Sequence, residues 1–322
     1  MRFPDRTSMN RARFALPAFV AAMLVLVNPA QAATEDLDFI TEHLAEVAMN
    51  SGLASLPLWQ RDWRDKRAWR GYLTGGYNAI SAQAIDVKGH LVGGAVEHTL
   101  SANWSVRGLL FEERAVLTGT PGVRALHPIF LNPLPAGLPA PASFGSLDGR
   151  IGQVGAGVTA TWRNHSGWMD GSEWMGGLLW QRLSINDSTT TYSVLEGPAA
   201  GTGGTIGYDS RFTFYTLVGG MQWHRRYADW LFSPHWHVTL PLPRGAVAGR
   251  FTAPGVDITG DSALARNGHH LGDGYLSLGL SITWLPAHLT VDLGTTLSQY
   301  LLEPVVDKGI DRDLVLAIEW SF

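Results

Sequence analysis

Along much of the chain, apolar residues recur at every second position, the period of a β-strand rather than a helix. At the C-terminal end Leu314, Leu316, Ile318, Trp320 and Phe322 alternate with Val315, Ala317, Glu319 and Ser321. In 275–284, Leu276, Leu278, Leu280, Ile282 and Trp284 alternate with Ser277, Gly279, Ser281 and Thr283. Stretches 153–162 and 289–298 repeat the pattern, one face apolar and the other largely glycine, serine and threonine. A soluble sandwich would need bulky residues on its inner face. A small polar inner face opposite an apolar outer face suits a barrel immersed in lipid. The tryptophans separate the two architectures. Trp104, Trp162, Trp174, Trp223, Trp230 and Trp284 lie in or near short connections and Trp320 lies beside the C-terminus, so seven of the 13 gather at one end of the strands. Indole, apolar in body and polar at its N–H, belongs at a membrane–water boundary. The pattern predicts an all-β fold, a transmembrane antiparallel up-and-down β-barrel.

Strands are expected near 71–83, 89–100, 103–114, 150–162, 173–186, 211–224, 230–243, 272–285, 288–301 and 311–322. That makes ten, with twelve as the alternative if Thr189–Glu196 belongs to an extra pair rather than extending a hairpin. Short turns alternate with long stretches at 115–147, 187–209, 244–270 and 303–310, which are expected outside the cell. The first of these holds Pro121, Pro128, Pro133, Pro135, Pro139 and Pro141 and is expected to form no ladder strands. Ahead of the barrel, Leu37, Ile40, Leu44 and Val47 recur at helical spacing behind a Thr34 cap, predicting a short N-terminal helix.

Composition narrows the class. Only 16% of the 322 residues are charged and 45% are hydrophobic, too apolar for disorder. The absence of cysteine removes disulfide scaffolds and thiolate metal sites, and a net charge of −4 argues against a nucleic-acid partner. Residues 1–32 begin with Arg2, Arg6, Arg11 and Arg13, continue through an apolar stretch and end in Ala30-Gln31-Ala32, a secretory signal peptide. Three segments follow: 1–32 signal, 33–70 helix and basic-aromatic segment, 71–322 barrel. Localisation in a bacterial outer membrane is the expectation.

The candidate chemistry is lumenal. His235, His237 and Thr239 occupy alternate positions directed inward, as lumen residues bonded to neighbours, or as part of a metal or Ser–His site. Asp292 and Glu319 are expected as an inward carboxylate pair on adjacent strands. Arg61, Arg64, Arg67 and Arg70, interleaved with Trp59, Trp63 and Trp69, are candidates to bridge that pair and plug the lumen. His269 and His270, with Asp261 and Asp273 nearby, read as solvated loop residues. No cofactor, metal or catalytic residue is assigned.

The terminal alternation through Ile318 and Trp320 to Phe322 resembles the signal by which outer-membrane barrels are recognised for assembly. The resemblance implies the barrel-assembly machinery and outer-membrane lipids as partners. GGAVEHTLSANWSVRG, YTLVGGMQWHRRYADWLFSPHWHVTL and GYLSLGLSITW resemble successive strands of autotransporter translocator barrels. Those barrels have twelve strands and follow a long passenger. Here only residues 33–70 separate signal from barrel, so the resemblance implies a solitary, passenger-less form. The function expected is non-enzymatic: a narrow or plugged channel, or a structural envelope component. The alternatives are a surface-interaction barrel acting through its long loops and an outer-membrane lipid or peptide hydrolase.

Overall fold

The structure is a computed structural model and describes residues 68–82, 85–120, 122–126, 140–165, 170–196, 200–263, 275–298 and 310–321. Residues 37–322 group as one unit, and residues 1–36, the other, lie outside the described residues. So do the signal peptide and the helix expected from Thr34 onward.

Thirteen strands are described: β1 Trp69–Ala82, β2 Ile85–Thr99, β3 Trp104–Gly119, β4 Gly122–Leu126, β5 Ala140–Arg163, β6 Ser172–Val194, β7 Gly203–Trp223, β8 Arg225–Tyr227, β9 Trp230–Ala253, β10 Val256–Ala263, β11 Tyr275–Trp284, β12 Leu289–Ser298 and β13 Ile310–Ser321. Ten of them form the wall. The antiparallel order β9-β11-β12-β13-β1-β2-β3-β5-β6-β7 returns to β9 through the β7–β9 pairing, so the ring closes. β9 is shared: its first half pairs with β11 and its second half with β10. β4 and β8 are short additions on β5 and β9. Closure is what lipid demands, because an open edge would leave backbone N–H and C=O groups without partners.

Burial alternates along the wall. In β3 every second residue from Ser105 to Leu117 is buried, while the residues between them are exposed or half-exposed. The outward set includes Leu73, Val92, Val96, Leu110, Val158, Leu178, Leu276 and Leu293, all large, apolar and exposed. Such a face is stable against acyl chains and costly against water. Trp104 pairs with Trp162, which pairs with Trp174, and Trp230 pairs with Trp284, so the tryptophans form a row at one rim. The connections at that rim are short. The one after β11 is a single 3-10 turn, Leu285–Ala287, closed by His288 in the left-handed region.

At the other rim the strands overrun the membrane. β6 and β7 continue as a hairpin to Val194 and Gly203, and β9 turns into β10 through Gly255, whose φ is +77°. The segment around Thr189 therefore lengthens a hairpin and does not add a pair to the wall. The proline-bearing stretch 115–147 departs from expectation: Gly122–Leu126 pairs with Ala140–Phe144, Pro141 included. A proline removes one ladder donor, and two short paired flanks tolerate that where a central span would not.

Candidate functional site

The small inward residues leave room for a few large ones, and these converge just inside the tryptophan rim. Glu97 on β2 receives hydrogen bonds from Arg107 on β3 (2.7 Å), Arg163 on β5 (2.7 Å) and the Tyr72 hydroxyl on β1 (3.1 Å). Arg163 also donates to Glu173 on β6 (2.8 Å) and to Ser105 Oγ (3.2 Å). His224, just past β7, places Nε2 3.2 Å from the second Glu173 oxygen and Nδ1 2.9 Å from Ser233 Oγ on β9. The Arg107 guanidinium lies over the Tyr72 ring at 4.7 Å. A belt of charge thus runs around the inner wall from β1 to β9, each member held by neighbours on adjacent strands. A buried charge persists only when so paired.

The chain of contacts continues. His235 on β9 has Nε2 3.7 Å from Asp292 on β12 and Nδ1 3.4 Å from Ser281 Oγ on β11, and Ser281 donates to the other Asp292 oxygen. Gly279 makes this possible, because a β-carbon there would collide with the His235 ring. Thr283 and Thr290 share a hydrogen bond of 2.8 Å one row nearer the rim. Serine, histidine and aspartate meet here, as hydrolytic sites require. However, Ser281 is bonded to the carboxylate as well as to the imidazole, and the neighbouring β9, β11 and β12 backbones pair in the sheet. Such a wall offers no free pair of backbone donors for an oxyanion. The cluster is suited to holding a proton or a polar solute in the lumen.

Farther from the rim the lumen changes character. Leu91, Leu109, Phe111, Met175, Leu179 and Val218 are buried together, in a cluster that also includes Tyr72 and Ala95. The Phe111 ring lies against Gly155, where any side chain would clash. An apolar cluster therefore lies in the interior beside β1–β7, alongside the buried Glu113, Gln153 and Gln181. The β9–β12 side is polar, with His237, Thr239, Ser277 and Ser281 all buried. Among the described residues Gln153, Gln222 and Thr239 carry buried side-chain polar atoms without a protein partner, the situation that internal water resolves.

The sequence candidates are distributed as follows. His235 and Asp292 come together. His237 and Thr239 share their face, with His237 level with Ser277 and Thr239 level with Tyr275. Asp292 and Glu319 are not level in the register: Asp292 is level with Val315 and Leu289 with Ile318, so the two positions are four residues apart along β13. Their expected closeness assumed that the ends of the two strands are level, whereas the β12–β13 register sets Leu289 against Ile318. Glu319 is level with Tyr72 and Trp320 with Gly71. Arg70 belongs to the wall strand β1. It sits fully buried in β1, level with Glu97, because β1 begins one residue before it. Arg61, Arg64 and Arg67, Phe322, and His269, His270 and Asp273 lie outside the described residues.

The residues that sequence reasoning missed are Glu97, Arg107, Arg163, Glu173 and His224. Their signal was visible. Arg163 adjoins Trp162, Glu173 adjoins Trp174 and His224 adjoins Trp223, so each is a polar or charged neighbour of a girdle tryptophan with inward parity.

No protein-family model matches the chain, and no curated protein matches it. Solved structures do. The outer membrane protease OmpT from Escherichia coli covers 82% of this chain and 99% of its own, at 10% identity and a TM-score of 0.39. The beta domain of the Bordetella autotransporter BrkA covers 79% and 100%, at 15% and 0.39. The translocator domain of the autotransporter NalP from Neisseria meningitidis covers 89% and 99%, at 10% and 0.35. At such scores these likenesses carry no argument about function. The architecture rests on the chain's own pairing: a closed antiparallel barrel with a lipid-facing apolar band and a tryptophan rim is that of an outer-membrane protein.

Proposed function

We propose that this chain is an outer-membrane barrel of the non-enzymatic kind, a narrow channel held closed near its tryptophan rim by its own side chains. The observation that carries this reading is Arg163, buried and bonded at once to Glu97 and Glu173 across three strands of the inner wall, with the Phe111 cluster in the lumen beyond it. A ring of ten strands is only slightly wider than the eight whose interior side chains fill. The polar path left along His235, His237 and Thr239 suits water, protons or small polar solutes better than sugars. The short-turn rim would face the periplasm, and the C-terminal residues Ile318, Trp320 and Phe322 would serve as the assembly signal.

Planar-bilayer recording and liposome swelling test the reading. The intact barrel should show small or rare conductance steps and exclude disaccharides. Glu97→Gln combined with Glu173→Gln should enlarge or lengthen the openings. Free swelling of wild-type liposomes in disaccharide would refute a closed lumen.

A further inference from the structure

On the outward face charge breaks into the apolar band on four neighbouring strands, with Val116 the one large apolar residue beyond it on β3. Along β3 the outward residues run Trp104, Val106, Gly108 and Leu110, then Glu112 and Arg114. On β5, β6 and β7 the band gives way to Arg150, Arg182 and Arg211. Register aligns them. Arg114, Gly152, Ser184 and Arg211 form one row across the four strands. Arg182 lies one row nearer the tryptophans, level with Val154, and Arg150 one row farther, level with Val116. Four arginines therefore ring Gly152 and Ser184. From Trp104 to Arg114 the strand rises about 33 Å at ~3.3 Å per residue. At a barrel tilt near 40° this is about one hydrocarbon thickness. The ring stands where the far leaflet's headgroups begin.

Two of the arginines are occupied: Arg114 by Glu112 at 2.7 Å, and Arg150 faces Asp187 at 3.6 Å. Arg182 lies over the Trp180 ring at 5.6 Å, and among the described residues neither it nor Arg211 is paired with a carboxylate. These two are diagonal neighbours on adjacent strands, a separation long side chains bridge. Between them and Arg114 opens a surface groove of about 260 Å³, with Ser184, Asn186 and the Arg114-bound Glu112 on its wall. Its floor is Gly152, where a β-carbon would meet nothing within 4 Å.

We propose that this notch binds the phosphate monoester of a lipid headgroup in the leaflet away from the tryptophan rim. Two guanidinium forks converging on one dianionic phosphate form the strongest class of charge-assisted hydrogen bond. The partner must lie in the membrane plane, because the ring borders apolar surface. A chain of net charge −4 has no general basic surface to attract soluble polyanions. The inference rests on the membrane-barrel reading above.

The test uses the full barrel refolded in zwitterionic detergent. It is offered phosphatidic acid, phosphatidylglycerol, phosphatidylcholine or inorganic phosphate, and bound lipid is read by native mass spectrometry. Phosphatidic acid should be retained at least about tenfold over phosphatidylcholine and should exceed the phosphodiester. Arg182→Gln with Arg211→Gln should reduce retention about tenfold, as should Gly152→Asp, which sets a carboxylate in an open position. Arg225→Gln, at the opposite, tryptophan-bearing rim, should change nothing. Equal retention by the arginine variant and wild type overturns the site. Binding of inorganic phosphate as tightly as phosphatidic acid overturns the lipid as partner. A chain that folds but shows no lipid preference defeats this inference alone. One that never gives a compact, heat-modifiable band on electrophoresis defeats the barrel reading and this inference with it.

Discussion

Replacing Arg163 by methionine deletes the cation that joins Glu97 to Glu173 while keeping much of the side-chain volume. Its Nε and Nη2 lie 2.8 and 2.7 Å from the two carboxylates, and the side chains are 4% and 1% exposed. Removing one partner of a buried pair leaves the other charged, at a cost of roughly 3–5 kcal/mol. Here each carboxylate keeps a second partner, Arg107 for Glu97 and His224 for Glu173, so the low end, about 3 kcal/mol, is expected. The control is built into the same barrel. Arg114 and Glu112 also approach to 2.7 Å, but at 72% and 51% exposure. Water screens that pair, and Arg114→Met should cost at most about 1 kcal/mol. Urea unfolding from lipid vesicles, followed by tryptophan fluorescence and by heat-modifiable electrophoretic mobility, measures both. Adding Glu173→Gln to Arg163→Met should recover part of the loss, because the stranded charge goes with it. Equal costs for Arg163→Met and Arg114→Met would refute the belt as a structural closure.

Other consequences follow from particular contacts. Gly279→Ala should displace the His235 ring and destabilise by about 1–3 kcal/mol, whereas Gly108→Ala, with nothing within 4 Å of the new carbon, should be nearly neutral; the urea midpoints compare them. Trp104, Trp162, Trp230 and Trp284, half-exposed at one level, should be quenched by lipids labelled near the headgroup and little by lipids labelled at the chain ends. On the β9–β10 hairpin, hydrogen bonds of 2.9 and 2.6 Å from Arg250 hold the Asp257 carboxyl below its ordinary range. A lowered folded pKa makes this contribution complete above the unfolded pKa of about 3.9 and lost as pH falls through the depressed value. Amide-exchange protection of residues 250–257 should therefore weaken on acidification in wild type, and Asp257→Asn should lose most of that dependence.

Much of the wall was legible because one rule generates it. Lipid outside and a small polar lumen inside force a period of two, and indole settles at the boundary, so the ten spans and the tryptophan rim could be read directly. The hairpin extensions were not. Pro141 and the glycines around 200–207 weaken a ladder locally, yet long paired flanks override them. The lumenal site was half visible: alternation directed His235, His237 and Thr239 inward, and Asp292 separately as a partner of Glu319, but the contact between His235 and Asp292 crosses strands.

Sequence alone therefore determined the class and which face of each span meets lipid, since these depend on each residue's own parity and polarity, and it left ten strands against twelve for the pairing to decide. Only the tertiary structure decided who touches whom. Register between strands depends on turn length and closure, and it separated Asp292 from Glu319, joined Asp292 to Ser281 and His235, and brought Glu97, Arg107, Arg163 and Glu173 into one belt. Contacts between residues distant in the chain are a property of the closed ring, because a shift of one strand against its neighbour rearranges every pair while leaving each strand's own pattern unchanged.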